Sequence, residues 1–494
     1  MSRPRTTSQL ALACSTTRGG GEVMGESLEP FIHPYIPNSV PAVKQEMLDD
    51  IGVKDVEEIL AEIPQELRLG RLLDLPEALA SELELKRHVE TILAKNTSCS
   101  ENLSFLGGGC WNHFVPAVCD EIVGRGEFLT AYSGSSYSDL GKHQARFEYN
   151  SLMAELLDYE VVVEPTYDWA TAAGFAVRMG ARITGRRQVL VPENLGRARL
   201  SVMKELCEPE YMEKNLPVRL VRCDPLTGQL DLEDLKRTLV AEKTAAVYFE
   251  NPGYLGHLEP AAAEICRLAK ESGAVSVVGV DPITLGVVTP PGSYGADIAV
   301  GDLQPLGIHM SCGTGLSGFM AFRDDDRYIS NCGFAIYTIV ETEVEGEHTF
   351  GELLSGRTSY GVREKAPDWV GTQTGLWAIC AGVYLATMGP TGMREVGDTI
   401  VRRAHYAARE LAGIPGVTLP MGGVFFKEFP VSFDDTGLSV AEVNDRLLKR
   451  GIFGGRDLST DFPSLGQSAL YCVTEVHTRA DIDRLVAVLT EVLK

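Results

Sequence analysis

Ala274-Val-Ser-Val-Val-Gly-Val280 is an unbroken apolar run that stops at an acid, Asp281. Short, valine-rich and flanked by helical periodicity, it reads as a strand buried on both faces of a sheet. Working outward, the same pattern recurs. Upstream lie Gln188-Val-Leu-Val-Pro192, Val218-Arg-Leu-Val-Arg-Cys223 and Ala245-Ala-Val-Tyr-Phe-Glu250. Downstream, Ala296-Asp-Ile-Ala-Val-Gly-Asp302 opens into a Gly-rich stretch ending near Gly318. Helical periods such as residues 261–272 lie between the runs. Strand–helix alternation predicts an α/β domain with a mainly parallel sheet and its ligand at the carboxyl ends of the strands.

The flanks differ in kind. Residues 1–24 carry Arg3, Arg5, Arg18, many Ser and Thr, and no acid before Glu22. That composition suits an organelle transit peptide or an upstream start with Met24 as the initiator, and the second reading is preferred because an apolar core is missing. Residues 25–95 read as a helical arm: Pro41 fits a first helical turn, and Val53, Val56, Ile59, Leu60 and Ile63 form one stripe. The large α/β domain is expected over 96–330, a connecting segment over 331–374, and a small α+β domain over 375–494. In the last, a helix is expected over 395–411, with strands over 425–433 and 469–475. Capping boxes at Ser439-Val-Ala-Glu442 and Thr478-Arg-Ala-Asp481 open two more helices.

Composition narrows the function classes. With 494 residues, 44% hydrophobic and 23% charged, the chain suits a globular enzyme. A net charge of −23 argues against nucleic acid or an anionic membrane as a partner. Eleven scattered cysteines, an odd number without a C-x-x-C pair, read as reduced thiols of a cytoplasmic protein, and no metal site is expected. The apolar stretch from Leu376 to Met388 is too short to span a bilayer and reads as a buried helix.

Several blocks then name a family. His33-Pro-Tyr-Ile-Pro-Asn38, Phe105-Leu-Gly-Gly-Gly with His113, Tyr167-Asp168 with Ala170-Thr-Ala172, Val280-Asp-Pro with Leu285-Gly286, Tyr294-Gly-Ala-Asp-Ile298, Val300-Gly-Asp302 with Gln304, Arg363-Glu-Lys-Ala366 and Phe426-Lys-Glu-Phe429 run in order along the chain. Together they resemble subunit 1 of the two-chain glycine dehydrogenase (decarboxylating), the P-protein of the glycine cleavage system. The resemblance implies a pyridoxal-phosphate, aminotransferase-like fold (fold type I). It also implies decarboxylation of glycine with transfer of an aminomethyl group to the lipoyl arm of H-protein. In such two-chain enzymes the second subunit carries the Schiff-base lysine. This chain contains no lysine between Lys270 and Lys365, and the aligned position falls on Pro305. The resemblance therefore implies one half of a heterotetramer, with pyridoxal 5'-phosphate held by the lysine-bearing partner, subunit 2, and no catalytic residue here.

The residues expected near an interface or active site are His113, Tyr167, Asp168, Trp169, Asp281, Gln304, Arg363, Glu364 and Lys365. Asp281, at a strand end, is placed like the carboxylate that pairs with a pyridinium nitrogen, either as a relic or as a structural hydrogen-bonding group. Asp168 is equally able to cap the following helix, and Arg363-Glu364-Lys365 to be a solvated charge run. His143 and His309 receive no task. Gly107-Gly-Gly109 reads as a turn, since no strand–helix unit frames it as a phosphate cradle. The chain departs from the family pattern at Trp169, where a small Gly is usual, and at Ser138-Asp-Leu-Gly-Lys-His143, Pro305-Leu-Gly-Ile-His309 and Pro367-Asp-Trp-Val-Gly371. These departures keep two alternatives open: a paralogous subunit acting on another amino acid or acceptor, and a non-catalytic assembly partner.

Overall fold

The computed structural model describes residues 32–69, 71, 73–129, 140–209, 215–314, 316–353, 359–370 and 374–494. The readings of residues 1–24, of Ser138-Asp139 and of Gly371 lie outside them. Two units emerge, one ending at Ala94 and the other beginning at Lys95.

In the first unit Pro41 does open a helix, Pro41–Ile51, which ends at Gly52 in the left-handed region (φ +82°). The expected stripe over 53–63 is shorter than its periodicity suggests. Asp55 caps a single turn, Val56–Ile59, and a 3-10 turn follows before Pro64 stops the chain. Ser81 caps a third helix, Glu82–Leu93. Leu67, Leu73, Leu75, Leu83 and Ile92 are all exposed.

The second unit is organised by a seven-stranded sheet. In chain order its strands are β1 (Val161–Val162), β2 (Gln188–Pro192), β3 (Val218–Val221), β4 (Thr244–Glu250), β5 (Val275–Val280), β6 (Ile298–Asp302) and β7 (Gly318–Phe322), in spatial order β1-β7-β6-β5-β4-β2-β3. Strands β2 to β6 pair in parallel, while β7 runs antiparallel to β6 and β1. Alternation sends Val275 and Val277 into one core and Val278 and Val280 into another, on opposite faces. Each such side chain stabilises the fold by roughly 1.5–3 kcal/mol.

Two features differ from the sequence expectation. The segment over 331–374 contains an antiparallel hairpin, β8 (Ile336–Glu341) with β9 (His348–Leu353). The helix expected over 395–411 is the second half of Gly375–Ala412, bent where Gly389 takes φ +58° and Pro390 removes a donor. Among the described residues only this helix is long and apolar enough to cross a membrane. Here it lies between the cores, burying Ala378, Tyr384 and Ile400 in one and Ala404 and Leu411 in the other. The C-terminal part holds a three-stranded antiparallel sheet, in which β10 (Glu428–Ser432) and β11 (Arg456–Asp457) flank β12 (Ser468–Cys472). Both capping boxes are formed. A further short parallel pair joins Leu103–Ser104 to Ile452–Phe453.

Gly286 ends the 3-10 turn after β5 and lies so close to the bent helix that a Cβ would stand 2.2 Å from the Met393 carbonyl oxygen. Gly286→Ala is expected to cost about 1–3 kcal/mol as overpacking. Gly141→Ala, on a helix with nothing within 4 Å, should instead gain about 0.5–1 kcal/mol. Urea unfolding of both variants checks the contrast.

Candidate functional site

Three adjacent parallel strands, β4, β5 and β6, deliver acids to their carboxyl ends: Glu250, Asp281 and Asp302. All three are buried. An unpaired buried carboxylate is costly, so what neutralises each one defines the chemistry available.

Asp281 follows β5 and caps the next turn, one carboxylate oxygen accepting from Ile283 N–H at 3.1 Å. Its other oxygen meets the Lys427 ammonium at 2.6 Å, and both side chains are 2% exposed. Lys427 comes from the residue before β10, lies 3.7 Å above the Trp111 ring, and stands 2.9 Å from His113 Nε2. An ammonium can only donate, so His113 Nε2 accepts and Nδ1 carries the proton toward Glu475, 2.8 Å away. Burial opposes ionisation of Glu475, but the hydrogen bonds from the His113 ring and the Phe114 N–H favour the carboxylate and lower its pKa. Asp281, Lys427, His113 and Glu475 thus form one alternating polar chain.

Glu250 accepts from Arg199 at 2.8 Å to each oxygen and from Tyr248 Oη at 2.7 Å. Tyr248 Oη also accepts from the Trp169 indole at 2.9 Å, and the Arg199 guanidinium stacks 3.7 Å over the Trp169 ring. Among the described residues Asp302 pairs with no cation. It accepts from the backbone N–H groups of Gln304 at 2.8 Å and Trp169 at 3.3 Å. Burial pushes its carboxyl up to about 7, and the nearby Asp168 charge adds to the rise.

The expected residues therefore sort into two groups. His113, Asp168, Trp169, Asp281 and Gln304 come together at the strand ends. Trp169 is the first residue of the helix Trp169–Thr184, buried to 3% exposure; Asp168 caps that helix, accepting from Thr171 N and Oγ1 at 2.7 Å. Gln304 clamps the Trp111 backbone from both sides and also donates to Ile308 O. Pro305 is buried in the turn after β6. Tyr167 is half-exposed. Arg363, Glu364 and Lys365 form an exposed 3-10 turn, with Arg363 at φ +57°. Sequence reasoning did not single out Lys427, Trp111, Arg199, Tyr248 or Glu475. A signal existed for the acids, since the runs ending at Glu250 and Asp302 mirror the one ending at Asp281.

The model of the glycine cleavage system P-protein family matches residues 33–489. The chain belongs to that family. It is 37% identical over 469 residues to a probable glycine dehydrogenase (decarboxylating) subunit 1 of Staphylothermus marinus, covering 93% of this chain and 98% of that protein. A namesake from Saccharolobus islandicus is 37% identical over 465 residues, covering 94% and 98%. A crystal structure of glycine decarboxylase (P-protein) in inhibitor-bound form superposes with TM-score 0.81 at 32% identity, over 94% of this chain and all of that one. A Burkholderia pseudomallei sphingosine-1-phosphate lyase, 14% identical with TM-score 0.62 over 87% of this chain and 94% of its own, shares the fold. The aminotransferase-like, fold-type-I expectation is borne out.

P-proteins work through pyridoxal phosphate, and this chain's own strand ends do not fit that group. The carboxylate that would pair with a ring nitrogen already has Lys427 as its partner. The helix N-terminus that would receive a phosphate has two of its free N–H groups, those of Trp169 and Thr171, taken by the Asp302 and Asp168 carboxylates. The space beside Gly279 is filled, since a Cβ there would lie 2.6 Å from Tyr248 Oη and 2.7 Å from the Trp169 indole nitrogen. Lys427 is not a free anchor, because its buried amine is already engaged by Asp281, His113 and the Trp111 ring.

Removing one partner of a buried ion pair strands the other. Lys427→Met is therefore expected to destabilise the chain by about 3–5 kcal/mol, and adding Asp281→Asn to recover most of the loss. A double-mutant cycle in urea measures the coupling. Asp302 supplies a pH signature. An unfolded aspartate titrates near about 3.9, whereas folded Asp302 keeps its proton up to about 7. The fold binds the extra proton between these values, so this group's contribution to stability falls as pH rises from about 4 to about 7 and is level above. Asp302→Asn should flatten that decline in unfolding free energies measured from pH 5 to 8.

Proposed function

We propose that this chain is the subunit without the Schiff-base lysine in a heteromeric glycine decarboxylase in the cytoplasm. The partner, subunit 2, supplies the Schiff-base lysine and holds pyridoxal phosphate, which when bound acts as the electron sink for loss of carbon dioxide from glycine. The aminomethyl group passes to the lipoyl arm of H-protein. The observation that carries this reading is the set of strand-end acids engaged within the chain: Asp281 is ion-paired with Lys427, Glu250 with Arg199, and Asp302 accepts from backbone N–H groups. The task left to this chain is to complete and shape a site on its partner. Tyr167, half-exposed before the helix that Asp168 caps, is a residue suited to that contact.

A second reading, a paralogous subunit for a different amino acid, is favoured by one feature. In the divergent segment Pro367-Asp-Trp-Val370, Asp368 is buried and bridges Arg178 at 2.7 Å and Arg182 at 2.5 Å, while Trp369 beside it is 66% exposed. That anchored indole would present a large flat surface to a partner's site. Trp169, by contrast, is consumed by Tyr248 and Arg199.

Co-expression with a lysine-bearing subunit 2 is expected to give a stable heterodimer or dimer of heterodimers. The pair should catalyse glycine–bicarbonate exchange, and neither chain alone should. Separate chains in light scattering at micromolar concentration, or exchange by this chain alone, would overturn the proposal. Trp369→Ala should leave exchange with glycine within about twofold on the first reading, whereas on the second it should alter which amino acid is turned over.

A further inference from the structure

The chain carries a charge of −23, yet one groove on it is basic. At the amino ends of the parallel strands, a cleft of about 500 Å³ is lined by Arg186, Arg187, Arg219 and Lys243, with Glu242 its one acid. Asp281 lies at the carboxyl end of β5, in the same parallel sheet, so the groove opens at the opposite edge from the strand-end acids. Most arginines elsewhere sit against acids, as Arg178, Arg267 and Arg323 do. Among the described residues, none of the four groove cations enters an ion pair. Four cations against one acid in a single concavity raise the local concentration of anions.

Two of the four are held ready. Arg186 donates through Nη1 to the carbonyls of Ser272 at 2.8 Å and Thr244 at 3.2 Å. Arg187 donates through Nε and Nη2 to Asn215 O at 3.0 Å and Asn215 Oδ1 at 2.6 Å, which fixes its guanidinium plane. Backbone bonds from Arg187 N and Gln188 N to Lys243 O fix the strand start beside Lys243. Arg219 sits on β3 in register with Leu190. The helix Trp169–Thr184 ends at Gly185, and its last carbonyls favour a nearby cation. That accounts for Arg186 but not for Arg187, Arg219 and Lys243 together.

We propose that this groove is a binding site for a small phosphate-bearing anion. Guanidinium forks match phosphate oxygens in pairs, and an ammonium adds a point charge. A volume of about 500 Å³ is in the range of small-ligand clefts. Pre-anchored guanidinium groups lose little entropy when an anion arrives.

The test is calorimetric titration of the full chain at fixed ionic strength with inorganic phosphate, pyrophosphate and a nucleoside diphosphate. Pyrophosphate or the nucleotide is expected to bind saturably at one site. Arg219→Gln/Lys243→Gln should weaken binding by about tenfold or more, with an unchanged melting temperature in the absence of ligand. Arg187→Gln serves as an independent second variant. No saturable heat with any of the three probes, or equal affinity in the variants, overturns the proposal. So does an oligoglutamate peptide that binds more tightly than pyrophosphate, which would assign the groove to an acidic protein surface.

Discussion

The structure depends on one ion pair. Asp281 is delivered to the centre of the molecule by a strand that is buried on both sides, and an aspartate there needs a cation. Lys427 supplies it at 2.6 Å, reaching from the segment that leads into the C-terminal sheet. The contact therefore ties the large sheet to the small one and closes the place where a ring nitrogen would sit. Trp111, stacked on the ammonium, and His113, which accepts from it, extend the tie to the segment before the helix Ala117–Val123. Glu475 completes it from the far side. The strand-end carboxylate is here presented to the chain's own lysine.

The neighbouring acids follow the same logic by other means. Glu250 takes the Arg199 guanidinium, which in turn stacks on Trp169. Asp302 is supported by backbone N–H groups, and burial pushes its carboxyl up to about 7. Trp169 links these two arrangements through its backbone and its indole. The Trp169 indole thus has its role inside the chain: it covers Glu250's arginine and fills the space beside Gly279.

Much of the fold was legible because strands buried on both faces leave a strong trace. Gln188–Pro192 and Val275–Val280 appear where their apolar runs lie, and the capping boxes at Ser439 and Thr478 open helices as their hydroxyl and acid spacing requires. The arm was harder. Val53 to Ile63 has helical periodicity, but Pro64 and a short capped turn win over it. The hairpin Ile336–Leu353 is half-exposed and weakly patterned, so no buried run announces it. The site was only partly legible. Asp281 could be found from its position at a strand end, whereas Lys427 lies 146 residues on (427 − 281) and pairs with it only through tertiary folding. Gln304, expected near a site, is a backbone clamp, and nothing in its local sequence distinguishes the two roles.

The central claim is that Lys427 has taken the cofactor's place against Asp281. The isolated full-length chain, incubated with pyridoxal phosphate, reduced with borohydride and mapped by peptide mass spectrometry, tests it directly. The account predicts no lysine labelled near unit stoichiometry, with Lys427 unmodified. Near-stoichiometric labelling of Lys427, or of any single lysine, would contradict it.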